Sequence, residues 1–131
     1  MSITVYGIKA CDTMKKVFVW LDANNIDWQF HDYKKAGIDA DHLRRWITAL
    51  GWQTVINQRG TSWRKLPETL RNSMDVDSAV SAAIDNPSLI KRPIIEGNGI
   101  LAAGFDSAHW HSLLREPLNN SLRSLAFRLR R

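Results

Sequence analysis

A chain of 131 residues with 44% hydrophobic and 24% charged content is long enough to bury a core without disulfide or metal staples. Its single cysteine excludes an intrachain disulfide and a Cys-rich zinc site, and no apolar stretch approaches the roughly 20 residues of a membrane span. The net charge of +5 is a property of one end: residues 1–114 carry 13 Lys and Arg against 12 Asp and Glu, whereas 115–131 hold Arg115, Arg123, Arg128, Arg130 and Arg131 against Glu116.

Residues 2–6 read as a strand and 12–24 as a helix, with Val17, Trp20 and Leu21 on one face and Asn24-Asn25 as its stop signal. Trp28 to Tyr33 alternates apolar and polar residues, as a half-buried strand does. The right-handed crossover rule makes the two strands parallel, giving a βαβ unit. Asp39 or Asp41 then caps a helix through Leu50, with Leu43, Trp46, Ile47 and Leu50 as its apolar stripe and Gly51 as its end. Two shorter helices follow at about 62–71 and 76–85, the second ended by Asn86-Pro87. Two apolar runs around Gly97-Asn98-Gly99 form a hairpin, and Asp106 caps a helix to about Leu114. This order predicts an α/β sandwich: βαβ, a helical insertion over about 39–86 between the second and third strands, then ββα.

One domain is expected over 1–115, followed by a basic C-terminal tail or helix over 116–131. Leu118, Leu122, Leu125 and Leu129 recur there at helical spacing from about Asn119. Such a helix either docks its leucines and leaves its arginines in water, or meets an acidic partner or anionic surface. As a nucleic-acid contact it would supply a short phosphate footprint without a base-reading element, so nucleic acid is not an expected partner.

Cys11 is the chemically informative residue. A strand, a short loop and a helix place its sulfur at the helix N-terminus, where unpaired N–H groups and the helix dipole favour the thiolate. Thiolate is the nucleophilic form, and Lys9, Lys15 and Lys16 add positive charge nearby. Isolated cysteines are commonly small buried hydrophobes, but Lys9 and Asp12 flank this one in a loop, which favours the reactive reading. With no second cysteine, any redox cycle must be completed by another molecule's thiol. A single free thiol suits a reducing compartment. Met1-Ser2-Ile3-Thr4-Val5-Tyr6 also lacks the pattern of a signal peptide, so the expected location is the cytoplasm.

Cys11, Asn57-Gln58-Arg59, the block Leu89-Ile90-Lys91-Arg92-Pro93-Ile94-Ile95 and the helical insertion together resemble the ArsC/Spx family over about residues 2–115. This family of thioredoxin-like proteins includes glutaredoxin-coupled arsenate reductases, the RNA-polymerase-binding regulator Spx and small YffB-like proteins described as glutathione-dependent thiol reductases; the last group is the most similar. The resemblance implies a mixed four-stranded sheet, Cys11 as nucleophile, Arg59 and Arg92 as anion-binding residues of one pocket, and a cis peptide bond at Pro93. From the residues alone Arg59 reads as a surface-loop cation, and Arg92-Pro93 is expected trans, because cis is only about 5–6% of X–Pro bonds.

The same resemblance frames function. It implies a thiol reductase with no bound cofactor or metal and with glutathione as co-substrate, glutaredoxin being a further candidate partner. A non-enzymatic regulator docking on the α-subunit of RNA polymerase is the alternative. Arsenate reduction is the weaker alternative, because arsenate reductases of this type carry a third arginine about a dozen residues beyond the Arg-Pro pair. Here that stretch reads Ala103-Gly104-Phe105. The Cys-x-x-Cys switch found in many Spx-type regulators is also missing, since Met14 occupies the second position. His109 and His111 lie two apart on a helix and face different ways, so they do not form a metal pair. The six tryptophans read mainly as core, with Trp63 a candidate pocket wall beside Ser62 and Arg64.

Overall fold

The computed structural model describes residues 2–115 of the chain. Strand β1 (Ile3–Gly7) is flanked by β2 (Trp28–Asp32) in parallel and by β3 (Ile94–Gly97) in antiparallel pairing, and β3 pairs with β4 (Ile100–Ala103). The order β2-β1-β3-β4 is the mixed four-stranded sheet that the family resemblance implies. Helix α1 (Asp12–Ala23) crosses from β1 to β2, and Asn25 leaves it at φ 56°, a left-handed conformation that Asn tolerates.

Strand side chains alternate between faces, and here the alternation sorts the core into two halves. Ile3 and Val5 of β1 with Ile95 of β3 join Met14, Val17 and Leu21 of α1 and Trp110 on one face. Tyr6 and Ile94 join Leu43, Trp46 and Ile47 on the other. The sheet is thereby covered on both sides. In the hairpin, Asn98 and Gly99 have φ of 57° and 75°, the positive values a two-residue type I′ turn requires. A side chain on Gly97 would place its Cβ 2.9 Å from the Ser2 carbonyl oxygen, so glycine permits β3 to close against the start of β1.

Between β2 and β3 the chain forms α2 (Tyr33–Ala36), α3 (Ala40–Leu50), α4 (Trp52–Val55), α5 (Thr61–Arg64), α6 (Glu68–Asn72) and α7 (Val76–Asp85). Asp39 caps α3 by accepting from His42 N–H at 2.7 Å. Asp75 and Ser78 form a reciprocal capping box on α7, each bond 2.9 Å. Asn86 ends α7 and leads into a 3₁₀ turn, Pro87–Leu89. Asp106 caps α8 (Ser107–Trp110), whose continuation His111–Arg115 widens into a π turn.

Three sequence expectations are corrected. Tyr33 opens α2 instead of ending β2, because Asp32 accepts from Lys34 and Lys35 N–H and turns the chain. The helix expected over 62–71 is divided into α5 and α6, because Pro67 lacks an N–H and excludes Leu66 from helical geometry. The single-turn helices α2 and α4 were not expected. The amphipathic helix foreseen from about Asn119 lies outside the described residues.

Helix α3 packs against α7, and Leu43 of α3 is fully buried in the core cluster that also holds Ala79, Val80 and Ala83 of α7. Leu43→Ala is expected to lower stability by about 2–5 kcal/mol, read as a lower urea midpoint at unchanged slope.

Candidate active site

The carboxyl ends of the parallel pair β1 and β2 open onto the loop that carries Cys11, the position where ligands meet open α/β sheets. Cys11 is the N-cap of α1, with extended backbone at φ −96° and ψ 132°. Its carbonyl accepts from Met14 and Lys15 N–H at 3.0 and 3.2 Å, and its own N–H donates to the Ile8 carbonyl at 3.3 Å. A Cβ on Gly7 would lie 2.6 Å from the sulfur of Met14, a fully buried side chain, so this glycine lets α1 close onto the end of β1. Asp32, at the end of β2, accepts from Lys9 N–H at 3.3 Å and braces the loop from the neighbouring strand.

Cys11 and Arg92 line one cavity of about 420 Å³, with Asn57, Thr61, Ser62, Ser88 and Lys34 among its polar walls. Burial pushes the Cys11 thiol up. The N–H groups of Met14 and Thr13 and the adjacent Arg92 guanidinium outweigh that effect, and the thiol lies below its ordinary value. The geometry stops short of a cap hydrogen bond to the sulfur, but amide dipoles at a helix N-terminus act without one. Arg92 Nη1 donates to the Ser88 carbonyl at 3.4 Å, and the Arg92–Pro93 peptide bond is cis, as the resemblance implied and the residues alone did not.

A long-range junction brings Arg92 there. Ile56 and Ile90 form an antiparallel bridge, with Asn57 N–H donating to the Leu89 carbonyl at 2.7 Å and Lys91 N–H to the Val55 carbonyl at 2.8 Å. The buried Tyr33 hydroxyl donates to the Ile90 carbonyl at 2.9 Å. Burial holds that phenol well above its ordinary range, so it stays a neutral donor beside Arg92. Asn57 Oδ1 accepts from Arg59 N–H at 3.1 Å, and Arg64 donates to the Arg59 carbonyl at 2.8 Å, which braces the loop between Asn57 and Gly60.

Arg59 stands apart from the other two. Asn57 and Gly60 on either side of it line the cavity, but Arg59 itself is exposed and does not. Trp63 is not among the residues that line the Cys11 cavity; it stacks on Trp52, with ring centroids 5.9 Å apart. His109 and His111 are both exposed. The sequence reading missed Tyr33, Lys34 and Ser88 as neighbours of the thiol. Position at the end of the second parallel strand was the available signal for Tyr33 and Lys34, and the Asn-Pro-Ser turn before Arg92 was that for Ser88.

A mixed sheet with this helical insertion and a thiol at the first helix N-terminus defines an ArsC-type thioredoxin-like protein. Residues 6–113 match the family model of the ArsC family, and the chain belongs to that family. An uncharacterized protein of Haemophilus influenzae is 44% identical over 110 residues, covering 84% of this chain and 96% of that protein. The solved structure of the YFFB protein is 46% identical and superimposes with a TM-score of 0.82, covering 86% of this chain and 99% of that one. The global transcriptional regulator Spx of Streptococcus mutans is 25% identical over 129 residues, covering 96% of this chain and 93% of that protein.

The lowered Cys11 pKa predicts alkylation by iodoacetamide whose rate rises with pH through a midpoint below the free-thiol value of about 8.5. Arg92→Ala removes a cation that favours the thiolate and is expected to move the midpoint upward. Arg59→Ala, outside the cavity lining, moves it less.

Proposed function

We propose that the protein is a glutathione-dependent thiol reductase that works through the single nucleophile Cys11, in a reducing compartment such as the cytoplasm. The observation that supports this reading most is the sharing of one cavity by Cys11 and Arg92, with the thiol pKa lowered. A planar guanidinium presents paired donors to a carboxylate or oxyanion and also stabilises a nearby thiolate. Arg59 is the second anion-binding residue in this reading, reaching the substrate from the loop that Asn57 and Gly60 anchor at the cavity wall.

In the cycle, the Cys11 thiolate attacks one sulfur of a substrate disulfide. The S–S bond breaks, a Cys11 mixed disulfide forms and the released thiolate takes a proton from water. When the group left on Cys11 is glutathionyl, a second glutathione thiolate attacks it, regenerating Cys11 and releasing glutathione disulfide. In sum, a glutathionyl disulfide R–S–S–G and one glutathione thiol become R–SH and glutathione disulfide, with Cys11 unchanged. A glutaredoxin thiol can take the place of the second glutathione. No bound cofactor or metal is part of this reading. Arsenate is a weaker substrate than a disulfide here, because a neutral stretch stands where the resemblance puts a third arginine and each charge-assisted bond contributes about 1.5–3 kcal/mol.

The direct test is mass spectrometry of the reduced protein after exposure to glutathione disulfide. A single glutathionyl adduct, absent in Cys11→Ser and removed by added glutathione, is the expected result; an unmodified wild-type chain would sink the proposal.

Similarity to Spx across nearly the whole chain favours a second reading, a regulator that docks on the α-subunit of RNA polymerase. In this case Cys11→Ser retains binding to the isolated C-terminal domain of that subunit in a pull-down. Failure of the intact protein to bind removes the regulator reading and leaves the reductase.

A further inference from the structure

Tyr33 is a buried ionisable side chain that the proposed cycle leaves unused. It opens α2, is fully buried, and belongs to the core cluster that also holds Leu43, Trp46 and Ile47 of α3. A phenylalanine would fill the same apolar volume, so the hydroxyl is the part that needs a physical reason. Taking a hydroxyl out of water costs free energy unless it finds a partner. This one finds partners 57 and 58 positions away: it donates to the Ile90 carbonyl at 2.9 Å, with the Lys91 carbonyl at 3.5 Å.

Those carbonyls belong to the two peptide units that lead into Arg92. Each unit is planar, so holding their oxygens fixes the direction in which the Arg92 side chain leaves the backbone. The guanidinium has little else to hold it. Its bond to the Ser88 carbonyl is long, at 3.4 Å. Among the described residues the ion pairs are His42–Asp39, Arg44–Asp77 and Arg45–Glu96, and none restrains Arg92. The phenol also lies beside the guanidinium itself. Its neighbour Asp32 braces the other half of the site, accepting from Lys9 N–H in the loop of Cys11. The corner between β2 and α2 thus grips both the segment that carries the thiol and the segment that carries the cation.

We propose that Tyr33 is a positioning residue of the thiol site: its hydroxyl holds the backbone ahead of Arg92 and so keeps the guanidinium where it stabilises the Cys11 thiolate. It acts through Arg92 and touches no substrate. The inference concerns ionisation of the thiol, and it holds whichever substrate or partner the thiol meets.

The test is a double-mutant cycle on the full chain, with Cys11 alkylation by iodoacetamide followed against pH in wild type, Tyr33→Phe, Arg92→Ala and the double variant. Phenylalanine keeps the ring and removes only the oxygen. Tyr33→Phe is expected to raise the alkylation midpoint, so that the rate at pH 7 falls about twofold to fivefold, as suits the loss of one neutral hydrogen bond acting at one remove. With Arg92 already replaced by alanine, the same change is expected to have no further effect. Leu43→Ala, in the same core cluster, controls for lowered stability and is expected to leave the midpoint at its wild-type position. A midpoint unmoved by Tyr33→Phe, or an equal rise with and without Arg92, overturns the positioning role. Wild type supplies a readout that needs no variant to fold: the Tyr33 hydroxyl proton is expected as a slowly exchanging NMR signal with cross-peaks to Arg92, and its loss to fast exchange overturns the contact. The expected midpoints in a protein that forms no glutathionyl adduct support the positioning role and sink the reductase reading alone.

Discussion

The pairing of Val55–Asn57 with Leu89–Lys91 is the constraint on which the rest of the site depends. It is a single bridge, Ile56 to Ile90, flanked by two backbone hydrogen bonds and closed by the Tyr33 hydroxyl. Val55, Ile56, Leu89 and Ile90 are all buried, so each backbone polar group beside them must be paired. A shift of this pairing would leave buried backbone groups without partners, each at a cost of about 1–3 kcal/mol. That penalty sets the register. Register in turn puts Arg92 next to the strand-loop-helix junction that bears Cys11, and brings Asn57 and Gly60 into the lining of the same cavity.

Within that frame the thiol is governed by opposing effects of similar kind. Partial burial disfavours the charged sulfur, while two helix amides and one guanidinium favour it and prevail. The outcome belongs to the assembled cavity. Neither the cysteine nor its helix carries the arginine, which arrives from a segment 81 positions later. Asp32 has a mechanical part in the same assembly, since its carboxylate ties the loop of Cys11 to the start of α2.

The structure also accounts for what the chain builds where the family resemblance puts a third arginine. Gly104 takes φ 81° and donates its N–H to the Pro93 carbonyl at 2.7 Å, so the turn after β4 is fastened to the proline beside Arg92. Phe105 then packs edge-on against Trp110 and Trp20, with ring centroids 4.9 and 6.1 Å away. The stretch serves packing of the α1 face, and Arg92 is the arginine that lines the Cys11 cavity.

What the sequence determined by itself is what short-range chemistry can encode. Strands β1 and β2, helices α1, α3 and α7, the Asp39 and Asp106 caps and the Asn98-Gly99 turn are legible because periodicity, capping and left-handed turn residues act within a few positions. Cys11 is legible for the same reason, since strand, loop and helix start are contiguous around it. Single-turn helices such as α2 and α4 carry no periodicity, and the helical spacing of Trp63, Leu66 and Leu70 runs across the break that Pro67 imposes. Arg59 and Arg92 are singled out by resemblance alone, because nothing near either one in sequence distinguishes it from a solvated cation. Only the tertiary structure decided that Arg92 shares a cavity with the thiol while Arg59 stays at its margin. The reason is that charge proximity in a folded chain follows long-range backbone pairing, here the bridge at Ile56 and Ile90, and pairing of that kind leaves no local periodic trace.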